Sequence, residues 1–314
     1  MSNEGIVGKF RIDTLRKKDL PTSRKWMQAL TPYGFVAPVT VLILILTFIP
    51  IAIVIGYSTL DNVIMTPESK FVGLSNYFTI LTDGTFYVAA RNSFVFTVGS
   101  VGAHFVLGIT FASLLNSRLL PGFVKTIFRA IFILPWLFTV AIIAILWRML
   151  LNPNGVINYF LVSSGVVDVG VEWLSSRGTA LLAVTFINIW AGYPFFMVTL
   201  LAGLQGISRD LYEAASIDGA KPWQQFRHIT LPQLRPIIIS MVILDMIWTS
   251  QQFALIWLTT GGGPFDATEM LPTYTYKLAF SNYEFGLASA SAVIILLLSM
   301  VLAFFYIRHQ KARD

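Results

Sequence analysis

Residues 213–232, EAASIDGAKPWQQFRHITLP, are polar and open on an acid, yet they lie between two long apolar runs. Just before them Ser208 supplies an N-cap, and Asp210 and Glu213 place negative charge in the first turn, where the helix dipole favours it. Leu211, Ala214, Ala215 and Ile217 form a small apolar stripe. Asp218-Gly219 stops the helix and Pro222 opens a second one. The spacing thus predicts a short helix, a tight turn and another helix. So small a unit cannot fold alone, so it must lean on the ends of neighbouring helices or on a separate protein with a groove for it.

The chain around this stretch is 55% hydrophobic and 12% charged over 314 residues, against about 45–50% and about 25% in ordinary globular domains. The excess apolar surface calls for a bilayer. Windows nearly free of charge recur at 33–58, 92–116, 130–147, 178–204, 237–258 and 285–307. Each has the roughly 17–25 residues that cross about 30 Å of hydrocarbon as helix, so six spans are expected. Residues 149–171 contain Asn152-Pro153-Asn154-Gly155 and Ser163-Ser164-Gly165, and read as a loop with a short surface helix. The first run, about 26 residues long, exceeds the roughly 7–15 of a secretory signal and reads as a membrane helix.

Six spans put both ends on one side. Of the 22 Lys and Arg, only Lys70, Arg91, Arg148, Arg177 and Lys277 then fall on the opposite side. By the positive-inside tendency both termini and the Glu213 segment are cytoplasmic. The expected divisions are a cytoplasmic segment at 1–32, a six-span domain at 33–307 with a cytoplasmic loop at 205–236, and a tail at 308–314. The basic residues cluster at membrane exits, where anionic lipid attracts them, and not on a groove-reading face, so nucleic acid is not an expected partner.

With no cysteine, thiolate chemistry and disulfides are excluded. The three histidines His104, His228 and His309 are scattered and no cluster has metal spacing. His104 reads as a hydrogen-bonded interior residue. Gly261-Gly262-Gly263-Pro264 lacks the Gly-Lys-Ser/Thr of a phosphate loop and reads as a flexible outer loop. The chain is not expected to be an enzyme or to carry a cofactor or metal.

Asp245 falls near the middle of the fifth run, where an acid costs about 2.5–3.5 kcal/mol. Trp248, Thr249, Gln251 and Gln252 follow it, so one helix face offers carboxylate, hydroxyl, amide and aromatic groups at membrane depth. The fourth run adds Asn188, Trp190 and Tyr193, the last just before Pro194. Such a set suits a sugar, whose hydroxyls need donors and acceptors and whose ring face stacks on an aromatic. Interhelical polar packing is the other reading of the same residues. In the sixth run Gly286 with Ala290, and Ala288 with Ala292, give the small-residue spacing of a close helix contact, a face suited to a second membrane subunit.

The opening stretch resembles the cytoplasmic loop of binding-protein-dependent ABC importer permeases, whose signature of Glu-Ala-Ala, a later glycine and an Ile-x-Leu-Pro close is met by Glu213, Ala214, Ala215, Gly219, Ile229, Leu231 and Pro232. Residues 253–293 and the FVGLSNY of 71–77 are similar to the carbohydrate branch, in particular its maltose- and glycerol-phosphate-type first permease subunits. The chain lacks the extra N-terminal spans and large outer domain of the maltose-type subunit. The resemblance implies an all-α membrane protein of the type I ABC importer permease fold, six transmembrane helices with a cytoplasmic coupling helix. It implies a sugar-import subunit in the bacterial inner membrane. Its partners would be a second permease, two ATPase subunits that carry ATP and Mg, and an extracytoplasmic sugar-binding protein. Glu213, Ala214, Ala215, Asp218 and Gly219 would couple to the ATPase, and Asn188, Tyr193, Asp245, Trp248, Thr249 and Gln252 would line the substrate cavity. The rival readings are a self-contained ion-coupled transporter, which needs paired intramembrane charges, and a non-transporting scaffold, which needs no polar face at membrane depth.

Overall fold

A computed structural model describes residues 22–61, 64, 69–117 and 120–311. The segment 1–21 and residues 312–314 of the tail lie outside the described residues. Helix α1 (Thr22–Tyr57) carries the first apolar run; among the described residues, α1 up to Ile53 forms one unit and the residues from Val54 onward another. Within α1, side chains such as Phe35 and Phe48 are exposed, as a helix meant for lipid leaves them.

The second unit opens with a two-stranded antiparallel ribbon, β1 (Leu60–Asp61) and β2 (Lys70–Phe71), pairing Leu60 with Phe71. Helix α2 (Ser75–Thr82) follows, then α3 (Gly84–Asn116), whose first turn is capped by Asp83 accepting from the Thr85 N–H. The third apolar run is not the straight span its composition predicts. It divides into α4 (Gly122–Leu137) and α5 (Val140–Leu150), bent by 100°. Pro135, without an N–H, sits in the last turn of α4; Phe138 and Thr139 are extended, and Thr139 accepts from the Ile142 N–H to begin α5. Among the described residues there are five helices long and apolar enough to cross a membrane, and six spans if the bent pair counts as one.

Helix α6 (Val156–Ser163) is the short helix expected between the runs. Helix α7 (Ala180–Gln205) packs along α3, burying Val101, Ile109, Phe196, Met197 and Leu200. Then come α8 (Arg209–Ile217) and α9 (Pro222–Gln225), a π-helical turn at Phe226–Thr230, and α10 (Leu231–Ser250). The last three join into one apolar helix from Pro222 to Ser250. The fifth span therefore starts well before residue 237, and Asp245 lies near its end, not near its middle. Pro222 is tolerated because it stands in the first turn of this helix, where an N–H has no intrahelical acceptor; Pro232 follows the π-helical turn, where the regular ladder of hydrogen bonds is already interrupted.

Helices α11 (Ala254–Thr259), α12 (Leu271–Phe280) and α13 (Phe285–Lys311) complete the chain. Ala288 and Ala290 of α13 are buried with Ile80, Tyr274 and Leu278, so the small-residue face anticipated for a partner is occupied by the chain's own α2 and α12. The glycine-rich loop is also tighter than anticipated. Thr268 donates from its N–H to Gly262 O (3.1 Å), while its hydroxyl bonds Gly263 O (2.6 Å) and the Thr260 hydroxyl (2.7 Å). Asn92 of α3 reaches the carbonyls of Asp266, Ala267 and Glu269, and buried Glu269 pairs with Lys277. Nearby, burial and a hydrogen bond to Asp83 push the Tyr274 phenol well above its ordinary pKa, so it stays a donor.

Candidate functional site

Two places gather the singled-out residues, and the first is α8. The Asp210 N–H donates to Ser208 Oγ (3.3 Å), the cap the sequence calls for. Asp218 ends the helix and Gly219 follows at φ +78°, where an L side chain is strained; Ala220 N–H closes the turn on Ala215 O at 2.9 Å. Two ties hold α8 against the next helix: Tyr212 Oη with Thr230 Oγ1 (2.9 Å), and Gln225 Nε2 donating to Ser216 Oγ (2.9 Å). Yet no residue of α8 is buried. Glu213, Ala214, Asp218 and Gly219 are exposed and Ala215 half-buried, while Leu211 and Ile217, 87% exposed, present an apolar edge outward. Beneath the module a cavity of about 850 Å³ runs to the end of α3 and the start of α4, with Asn116, Lys125, Arg129 and Glu213 on its walls.

The second place is a cavity of about 300 Å³ between α3, α4, α5, α7 and α10. Asn188, Asp245, Trp248, Thr249 and Gln252 all line it. Tyr193 is not among the lining residues: it is buried, with its ring 5.3 Å from that of Phe111. On a helix a residue five positions beyond Asn188 falls on a different face, which accounts for the separation.

His104 is the hydrogen-bonded interior residue the sequence suggests, but sequence reasoning did not place it in the cavity, and it missed Trp136, Phe138 and Phe195, which share the lining. His104, 2% exposed, bonds Asp245 Oδ2 through Nδ1 (2.8 Å) and Asn188 O through Nε2 (3.0 Å). Thr249 Oγ1 donates to Asp245 Oδ1 (3.1 Å). The Asn188 carbonyl only accepts, so Nε2 carries a hydrogen, and the Nδ1 contact then requires one further proton between imidazole and carboxyl. The pair is neutral overall, and it ties α3, α7 and α10 together. Gly192 makes room for it, since a Cβ there would stand 2.4 Å from the imidazole ring. The signal available in the sequence was the coincidence of one buried-run histidine and one buried-run acid, which in hydrocarbon satisfy each other.

Residues 104–313 match the family described as binding-protein-dependent transport system inner membrane component. The chain belongs to that family. Among curated relatives of this permease, the trehalose/maltose transport system permease protein MalF of Thermococcus litoralis is 36% identical over 288 residues, covering 91% of this chain and 95% of that one. A probable ABC transporter permease protein of Brucella suis is 34% identical over 278 residues, 88% and 95% of the two chains. The sulfoquinovosyl glycerol transport system permease protein SmoG of Agrobacterium fabrum is 30% identical over 304 residues, 95% and 97% of the two. In fold the permease is similar to a chain of a bacterial ABC transporter involved in the import of the acidic polysaccharide alginate, with a TM-score of 0.79 at 23% identity over 93% of this chain and 99% of that one. The all-α type I importer permease fold is thereby established.

Proposed function

We propose that this chain is the transmembrane permease subunit of an ATP-driven importer of a sugar or sugar derivative. It lines part of the path and works with a second permease subunit, two cytoplasmic ATPases that bind ATP and Mg, and an extracytoplasmic sugar-binding protein. It sits in a bacterial inner membrane with both termini cytoplasmic, the six-span domain at 33–307 carrying its coupling loop at 205–236 between a segment at 1–32 and a tail at 308–314. ATP hydrolysis belongs to the partners.

The observation that carries the reading is α8: a capped helix, clipped to its neighbour by two side-chain hydrogen bonds, with no residue buried and with Leu211 and Ile217 bare. A helix so fixed and so uncovered is built to enter another protein's groove. Glu213, Ala214, Ala215, Asp218 and Gly219 are the contact set, with the alanines allowing close approach. Closure of the ATPases would push on this helix and reorient the spans. Asn188, Asp245, Trp248, Thr249 and Gln252 are the substrate-cavity set, with Tyr193 serving as packing behind them.

The test is to tag the chain, extract it in mild detergent and identify what co-purifies in near-stoichiometric amount. A second multi-span protein and an ATPase are expected. A lone chain that transports sugar in liposomes would overturn the reading.

A further inference from the structure

The cavity beneath α8 carries more positive charge on its walls than the structure uses. Lys125 and Arg129 of α4 and Arg209 of α8 line it, against the one acid Glu213. Among the described residues, none of these four side chains forms an ion pair. Lys125 and Arg129 stand one turn apart on the same face of α4, where like charges repel. Lys125 closes the first turn of α4 and Arg209 opens α8, and at a helix N-terminus the dipole disfavours a cation. A wall built in this way gains when an anion enters.

Size and surroundings narrow the anion. The cavity, about 850 Å³, falls within the roughly 300–1,000 Å³ of small-ligand sites. Two guanidinium forks and an ammonium match the oxygens of a phosphate. Ser113, Asn116, Ser117 and Gln205 share the lining, hydroxyls and amides that suit a polyol. Beside the cations the surface of α4 is apolar and bare, with Phe123 75% and Phe128 42% exposed. A free phosphate gains nothing from that surface, whereas acyl chains would cover it. We infer that the cavity holds the headgroup of an anionic phospholipid, its phosphate on Lys125, Arg129 and Arg209 and its acyl chains along α4. Held from α4 and α8 at once, the headgroup braces α8 from behind. Its effect on ATP hydrolysis rests on the coupling reading of α8 given above, and its binding does not.

The experiment uses the complete transporter, purified with its own partner subunits and placed in nanodiscs of phosphatidylcholine alone or mixed with phosphatidylglycerol. Lipid that stays bound is identified by native mass spectrometry, and ATP hydrolysis is measured in the same discs. Phosphatidylglycerol is expected to be retained about ten- to thirtyfold over phosphatidylcholine. The double variant Lys125→Gln, Arg129→Gln should lose that preference, the factor that two cations at a membrane surface supply. Lys125→Arg combined with Arg129→Lys keeps both charges and should keep the preference, which separates lost charge from disturbed folding. ATP hydrolysis should rise with phosphatidylglycerol in the unaltered complex and stay flat in the glutamine variant. Inorganic phosphate and glycerol phosphate, added to phosphatidylcholine discs, should leave it unchanged; a rise with either would make the ligand a soluble phosphate and overturn the lipid assignment. Equal retention of phosphatidylglycerol by the unaltered complex and the glutamine variant would overturn the site itself. Retention lost in the variant with hydrolysis indifferent to lipid in both would keep the lipid site and refute its link to α8.

Discussion

His104 shows how one residue changes meaning between sequence and structure. As a letter in an apolar run it reads as an interior histidine satisfied by some hydrogen bond; folded, it neutralises the acid on another helix and sets the charge of the cavity. Removing it leaves the buried Asp245 carboxyl without its imidazole hydrogen-bond partner, which costs about 1–3 kcal/mol. His104→Leu should therefore lower the thermal midpoint of the purified protein sharply, and His104→Leu combined with Asp245→Leu should regain most of the loss. A double variant that is as unstable as the sum of the two single ones would show that the pair does not act as a unit.

Among the elements, α8 and the broken third span carry opposite lessons. Every local signal for α8 was readable, from the Ser208 cap to the Gly219 stop, because capping and turn chemistry act over a few residues. Gly219 has φ +78° and nothing within 4 Å of where a Cβ would be, so substitution there strains only the backbone. Gly219→Val should cost the turn about 1–2 kcal/mol, leave insertion and expression normal, and abolish most uptake, whereas Gly219→Asn, better suited to that region, should retain more of it. Normal uptake by the valine variant would refute the coupling role of α8. The 100° bend between α4 and α5, by contrast, was hidden: 130–147 contains no charge, and composition measures length and apolarity, not direction. The early start of the fifth span was hidden for a related reason, since Arg227, His228 and Arg235 interrupt the apolar count without interrupting the helix.

At the scale of the whole molecule, orientation is a statement about where loops lie, and the absence of cysteine makes it directly measurable. Ile217 and Phe265, 87% and 84% exposed, are suitable single-cysteine sites. Ile217→Cys should react with a membrane-impermeant maleimide in inside-out vesicles and not in intact spheroplasts, and Phe265→Cys should do the reverse. The opposite pattern would invert the proposed topology. By itself the sequence determined a multi-span helical protein, a capped helix with a glycine stop and a carboxylate within an apolar run, because hydropathy, capping and turn preference are properties of neighbours along the chain. Only the tertiary structure decided that Asn92 pins the outer loop through three carbonyls, that Ala288 and Ala290 are used inside the chain, that Tyr193 turns from the cavity, and that His104 meets Asp245 across 141 positions. Those pairings depend on which helix faces pack together, and that is settled by shape and by the need of each buried polar group for a partner, which no local pattern encodes.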